Sequence, residues 1–318
     1  MSTVATSQIK LTPEQARPRA TVRSRLQDAL PKIVLAPSFA ITIVFVYGFI
    51  LWTIYLSFTN SKTFPSYAIT GGRAYQRLWR WTFESDPPSS WYTSITNMGI
   101  FGFLYIFICL ALGLFLAILL DQKIRGEGVL RPIYLYPMAL SFIVTGVAWK
   151  WFLDPGLGLE QTLHQWGWTS FHFDWIKNKD FVIYTVVIAG VWQASGFVMA
   201  MFLAGLRGID GEIMKAAQID GATTFQLYRR IVIPLLRPVF LSAFIVLAHL
   251  AIKSYDLVVA LTSGGPGGSA WLPSNFMYEF TFKRNEMAVG SASAVIMLMT
   301  ITAIIVPYLY SELRERPR

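Results

Sequence analysis

Six stretches of about twenty mostly apolar residues leave this chain few ways to fold. They run from Ile33 to Phe58, Asn97 to Leu120, Ile133 to Leu153, Phe181 to Leu206, Val239 to Leu261 and Ala288 to Tyr310. At about 1.5 Å of rise per residue, roughly 20 residues of helix cross the ~30 Å hydrocarbon core of a bilayer with the backbone hydrogen-bonded internally. Composition agrees: 54% of the 318 residues are hydrophobic and 14% are charged, against about 25% charged in an ordinary soluble domain. Such a chain has too little polar surface to enclose itself in water. The expectation is an all-α integral membrane protein, with a six-span domain over residues 33–310 and tails at 1–32 and 311–318. The first tail lacks the short apolar core and small-residue cleavage site of a secretory signal, so it reads as retained.

The Lys and Arg bias between loops sets orientation. The two tails and the loops after the second and fourth spans hold seventeen Lys and Arg residues, and the opposite loops hold eight. Both termini are therefore expected in the cytoplasm. The same rule accounts for the net charge of +9, so the lipid bilayer is the implied partner and nucleic acid is not. Cys109 is the single cysteine and lies in an apolar run, which excludes a disulfide framework and a thiolate metal cluster. His164 and His172 share an outer loop without clustered carboxylate or cysteine partners, so solvated or structural roles are expected and no metal site is assigned. In the long outer loops, Trp79, Trp81, Trp91, Trp166, Trp168 and Trp175 suit the membrane interface, with a docking surface as the alternative. Lys150, near the end of the third span, can snorkel to that interface. The run Gly264 to Gly268 lacks the Lys-Ser/Thr that completes a phosphate cradle and reads as a turn.

The loop over residues 207–237 carries the densest pattern. It reads as a helix from Gly211 to Ile219, a break at Asp220-Gly221, a second helix started by Thr223 or Thr224, and an exit at Pro234. Ala216 and Ala217 give the first helix a shallow surface, while Phe225 and Tyr228, three apart, offer an aromatic knob. Two uses are open from these residues: a protein groove receives the loop, or the loop rests on lipid headgroups.

The spacing Lys215-Ala216-Ala217, then Gly221, then Ile231, Ile233 and Pro234 resembles the cytoplasmic loop of permease subunits of binding-protein-dependent ABC importers. The string Ala216 to Ala222, with Ser254-Tyr255-Asp256-Leu257 and Thr262 to Pro266, resembles the carbohydrate branch, of the type of the first permease of maltose and glycerol-phosphate importers. Lys215 stands where the family has Glu, and Ile233 where it has Leu. The resemblance implies an ATPase-docking loop built on Lys215, Ala216, Ala217, Asp220, Gly221, Ala222, Phe225 and Pro234. It also implies two ATP-binding subunits that hold ATP and Mg, a second, dissimilar permease and an extracytoplasmic sugar-binding protein. This chain would then carry no cofactor and hydrolyse nothing itself, in a bacterial cytoplasmic (inner) membrane.

Polar residues inside the spans are candidates for a substrate pathway. On one continuous helix, Ser242, His249, Lys253 and Asp256 fall within an arc of roughly 60°. They line a path, or Lys253 and Asp256 neutralise each other while His249 is hydrogen-bonded in the bundle; Tyr255 lies beside them. Trp192 and Gln193 in the fourth span offer an aromatic face and an amide suited to a sugar, or a packing residue and a satisfied amide. Two rival readings remain: an ion-coupled secondary transporter relaying through Lys253 and Asp256, and an intramembrane enzyme using His249 and Asp256.

Overall fold

Four of the six apolar stretches form unbroken helices, and two are bent at specific polar or proline positions. The computed structural model describes Lys32 and residues 34–83, 90–122 and 126–315, with side chains outside 80–83, 309 and 311–315. The N-terminal tail up to residue 31, Lys123, Arg125 and the last three residues lie outside the described residues. All regular structure among the described residues is helical, apart from an isolated antiparallel bridge between Thr59 and Ile69.

The chain divides into units at 1–52 and 53–318. Helix α1 (Val34–Ser57) contains a π-helical stretch over Thr42–Tyr47 and exposes Val34, Phe39, Val44 and Phe49, as a helix bathed in lipid does. The second unit continues through α2 (Arg73–Phe83), α3 (Ser90–Asp121), α4 (Glu127–Ala139), α5 (Phe142–Phe152), α6 (Leu159–Gln165) and α7 (Val182–Arg207). Then come α8 (Gly211–Ile219), α9 (Thr224–Leu235), α10 (Arg237–Ile252), α11 (Tyr255–Thr262), α12 (Pro273–Tyr278) and α13 (Met287–Glu315).

Helix α7 is the centre of this unit. It is apolar on all sides, so it is buried along most of its length, from Val182 to Leu206. It packs against α3 through Phe101, Tyr105 and Cys109, and these join Val198, Met199 and Phe202 in one core. Helix α4 approaches so closely at Gly196 that a Cβ there would collide with the Tyr134 carbonyl. A second, smaller core joins Leu78 of α2, Trp91 of α3, Phe276 of α12 and Ala292 of α13.

The third apolar stretch is not one helix. Helices α4 and α5 meet at Leu140-Ser141 with a bend of 102°. Pro132 and Pro137 remove two backbone donors from α4, Leu140 turns extended, and the Ser141 hydroxyl caps α5 by accepting from the Val144 N–H at 3.3 Å. Hydrophobicity alone does not register such a break. The fifth stretch is broken too: α10 ends at Lys253, and the chain restarts as α11 after Ser254, whose hydroxyl donates to the Leu250 carbonyl. Helix α11 instead packs along α5, where Ala260 meets Gly146. A further bend of 63° separates α9 from α10 at Leu236.

Two other boundaries move outward, to Ser90 for α3 and Glu315 for α13, because a helix does not end where lipid ends. Trp91 departs from the interface reading: it is buried against Phe276 at 5.0 Å between ring centres. Trp79, Trp166 and Trp168 are exposed, and the Trp81 side chain lies outside the described ones. Lys150 is exposed at the end of α5.

Candidate functional site

At the Arg207 end of α7 the chain makes two tight connections. Asp210 caps α8 by accepting from the Glu212 N–H at 2.9 Å. The helix stops at Asp220, and Gly221 takes φ +80°, a left-handed conformation that side chains resist. Its N–H donates to the Gln218 carbonyl, and the Ala222 N–H reaches back to the Ala217 carbonyl. This paired closure of a helix end is the Schellman arrangement. Thr223 then opens α9 with a reciprocal capping box to Gln226. Before Pro234, which has no N–H and crowds the carbonyl four residues back, the helix widens into a π turn over Tyr228–Val232.

The inward residues of this segment belong to the main core. Ala217, Leu227, Val232 and Leu236 are buried with Leu206. Arg207 adds a salt bridge of 2.5 Å to Glu127 at the start of α4, so α7, α4 and the segment are tied together. Of the residues expected in a docking loop, Lys215, Ala216, Asp220, Gly221 and Phe225 are exposed, while Ala222 and Pro234 are half-buried. Ala217 is buried, not a surface residue, because it is the third residue from the end of α8 and faces the core. Tyr228 is likewise half-buried against the core, which leaves Phe225, 71% exposed, as the knob. Sequence reasoning missed Ile213 and Ile219, the latter 86% exposed. Their signal was present: Ile213, Ala216 and Ile219 repeat every three residues along one side of the short helix.

The intramembrane candidates separate. Gln193 is buried, and its amide Nε2 donates to the Leu140 carbonyl at 2.8 Å, satisfying a backbone group freed by the α4–α5 bend. Trp192, one residue earlier, is partly exposed and meets Trp149 edge-on at 5.9 Å. Both Trp rings line a cavity of about 500 Å³ among α3, α4, α5 and α7, whose walls are otherwise nearly all apolar. The expected single stripe does not survive the break at Lys253-Ser254, since Asp256 and Tyr255 lie on α11 rather than on the helix of Ser242 and His249. Among the described residues, Lys253 and Asp256 form no ion pair; both are exposed, as is His249, beside Ile301 and Ile305 of α13. Among the described residues, then, Lys253 and Asp256 do not neutralise each other, and the His249 side chain has no hydrogen-bond partner. Tyr255 meets Tyr278 at 4.9 Å.

At the Val182 end of α7, the 153–181 segment contradicts one expectation. His164 and His172 do have a carboxylate neighbour, Glu160, one turn before His164 on α6. Glu160 and His164 share one face of α6, and the folding of residues 166–173 brings His172 to them, which the spacing did not disclose. The Phe173 N–H and His172 hold the Glu160 carboxyl below the usual carboxylate range. The glycine run at 264–268 is a turn, closed by the Ala270 N–H on the Gly264 carbonyl and held to α3 by the Asn97 amide, which donates to the Ser269 and Trp271 carbonyls at 2.7 and 3.0 Å.

Comparison with known proteins bears on these features. The family model described as binding-protein-dependent transport system inner membrane component matches residues 109–315. A probable ABC transporter permease protein of Pyrococcus horikoshii is 41% identical over 290 residues, covering 90% of this chain and 97% of that protein. The trehalose/maltose transport system permease protein of Thermococcus litoralis is 28% identical over 278 residues, covering 87% and 91%. In fold, the chain is similar to one in the crystal structure of a bacterial ABC transporter that imports the acidic polysaccharide alginate, with a TM-score of 0.75 at 16% identity, covering 93% of this chain and 99% of that one.

Proposed function

This chain belongs to the family of binding-protein-dependent transport system inner membrane components, the permeases of ABC importers, and we propose that it forms half of the translocation pathway of an ATP-driven sugar importer. Family membership makes it a transport component rather than a catalytic one. In this reading residues 33–310 cross the cytoplasmic membrane six times, two crossings being bent, with both termini inside. ATP and Mg are bound by two separate ATP-binding subunits. A second, dissimilar permease completes the pathway, and an extracytoplasmic sugar-binding protein delivers the solute. The sugar assignment is supported by relatives such as the trehalose/maltose permease. The partners are inferred from the transport class.

One observation carries the proposal: residues 208–236 are a doubly capped, core-anchored element that still exposes Ile213, Ile219 and Phe225. An apolar knob on a stiff base fits a protein groove, where buried aromatic and aliphatic anchors dominate binding. Lys215 beside it favours a groove bearing an acid. Nucleotide-driven movement of that groove would pass through the buried Leu227, Val232 and Leu236 into α7 and α10, the kind of rigid-element displacement that switches access.

The test is co-purification of this chain with candidate ATP-binding subunits and a second permease, native against Gly221→Val, with ATPase activity measured alongside. A β-branched residue at φ +80° is strained by about 1–2 kcal/mol or more, so the variant loses the ATPase or uncouples it. Failure of the native chain to bring down any ATPase, together with gradient-driven uptake by the chain alone, would overturn the reading in favour of ion coupling. For the pathway, exposed Asp256 is the residue to change: Asp256→Asn reduces uptake while leaving assembly intact. Equal losses of both would assign it a structural role.

A further inference from the structure

We propose that Glu160, His164 and His172 form a binding site for a divalent transition-metal ion of the zinc type, in the segment between α5 and α7. A ligand atom from each of the three lies within 4.8 Å of the other two. Glu160 and His164 are four apart on α6 and so share a helix face, while His172 comes from the chain that returns over it.

The backbone that brings His172 in also orients the other two. The Phe171 carbonyl accepts a hydrogen bond of 2.7 Å from His164 Nε2, which fixes the proton on Nε2 and leaves Nδ1 with its lone pair. The Phe173 N–H donates to Glu160 Oε2 at 3.1 Å, and His172 Nδ1 donates to Oε1 at 3.1 Å. Three consecutive residues therefore provide one ligand and two orienting contacts. Metal-bound histidines and carboxylates need such outer contacts, typically a carbonyl on the far imidazole nitrogen. Aromatic stacking fixes this segment in turn, from Phe171 to Phe173, Trp175 and Phe181.

The chemistry matches a borderline ion. Two imidazoles and one carboxylate are a common set for Zn²⁺, with bonds of about 2.0–2.2 Å and a fourth position left to water. Ligand atoms in such a set are about 3.3 Å apart, so side-chain rotations of the order of an ångström close the site. The His172 side chain is 74% exposed and gives an entry path, while Glu160 is 13% exposed. The ion takes the His172 Nδ1 lone pair in place of the hydrogen bond to Glu160 Oε1: a neutral His172 moves its hydrogen to Nε2 with no net release, and an imidazolium gives its Nδ1 proton to solvent and keeps the one on Nε2. Bound metal would clamp α6 to the 171–173 segment.

The full-length, tag-free chain in detergent, stripped with chelator, provides the test. Co²⁺ is titrated while its visible absorption is followed, and Zn²⁺ is then used to displace it. We expect one Co²⁺ per chain, displaced by Zn²⁺, with affinity reduced more than ~100-fold in both His172→Ala and Glu160→Gln, beyond the 10–100-fold typical of losing an outer contact. Glu160→Gln keeps an acceptor for the Phe173 N–H and so guards against a folding artefact, checked by equal helical content of the metal-free proteins by circular dichroism. Native protein that takes up no Co²⁺, or variants within a few-fold of native, would overturn the site. The readout is independent of transport.

Discussion

The two segments at opposite ends of α7 solve the same problem, how to leave a buried helix and return, with different chemistry. Residues 208–236 are held by helix caps and by apolar side chains sunk into the bundle core, and among the polar residues they leave outside they also expose the large apolar side chains of Ile213, Ile219 and Phe225. Residues 153–181 are held by stacked aromatic rings and by side-chain to backbone hydrogen bonds, and what they gather is polar: Glu160, His164 and His172. The first arrangement presents shape to a protein groove. The second presents lone pairs and charge, suited to an ion rather than to a broad interface.

The contrast breaks most visibly if the exposed apolar residues prove idle. Ile219→Asp leaves folding near neutral because the residue is 86% exposed, yet it should weaken ATPase capture by about 2 kcal/mol, roughly 30-fold, as loss of an interface anchor does. Affinity unchanged within a factor of two would mean that the segment docks by other residues. A smaller effect sharpens the role of the caps. Thr223→Ala removes the reciprocal bonds with Gln226 and should cost about 1 kcal/mol locally, read as faster amide exchange over residues 224–228 with residues 160–175 unaffected.

The smallest expected effect lies at the other end. Glu160 titrates below the ordinary carboxylate range because the Phe173 N–H and His172 favour its ionised form. Its contribution is therefore present above the usual glutamate pKa and lost as pH falls through the lowered value. Native protein should melt slightly above Glu160→Gln at about pH 6, and the difference should shrink only below about pH 4. A difference that vanishes already near neutral pH would assign the effect to histidine instead.

Much of the 208–236 segment was legible because local rules govern it. Gly221 after a short helix, Thr223 three residues before Gln226, and Pro234 at the exit each act through neighbours in sequence. The mistakes there, Ala217 and Tyr228, concern which face turns inward, and that depends on α7. The intramembrane candidates fared differently. Gln193 was open to a solute contact or a packed amide; its Nε2 donates to the Leu140 carbonyl, exposed by a bend that hydropathy does not report, while its buried Oε1 has no hydrogen-bond partner among the described residues. The Ser242 to Asp256 stripe assumed an unbroken helix, and the break at Lys253-Ser254 removed the assumption.

By itself, then, the sequence determined the membrane class, the helical content and the capped loop, because lipid leaves a backbone few solutions and caps act over a few residues. Tertiary structure decided where the third and fifth stretches bend and which side chains meet across 160–173. Those outcomes depend on contacts such as α4 on Gly196, Ala260 on Gly146 and Phe173 on Glu160, made between residues whose proximity no local pattern encodes.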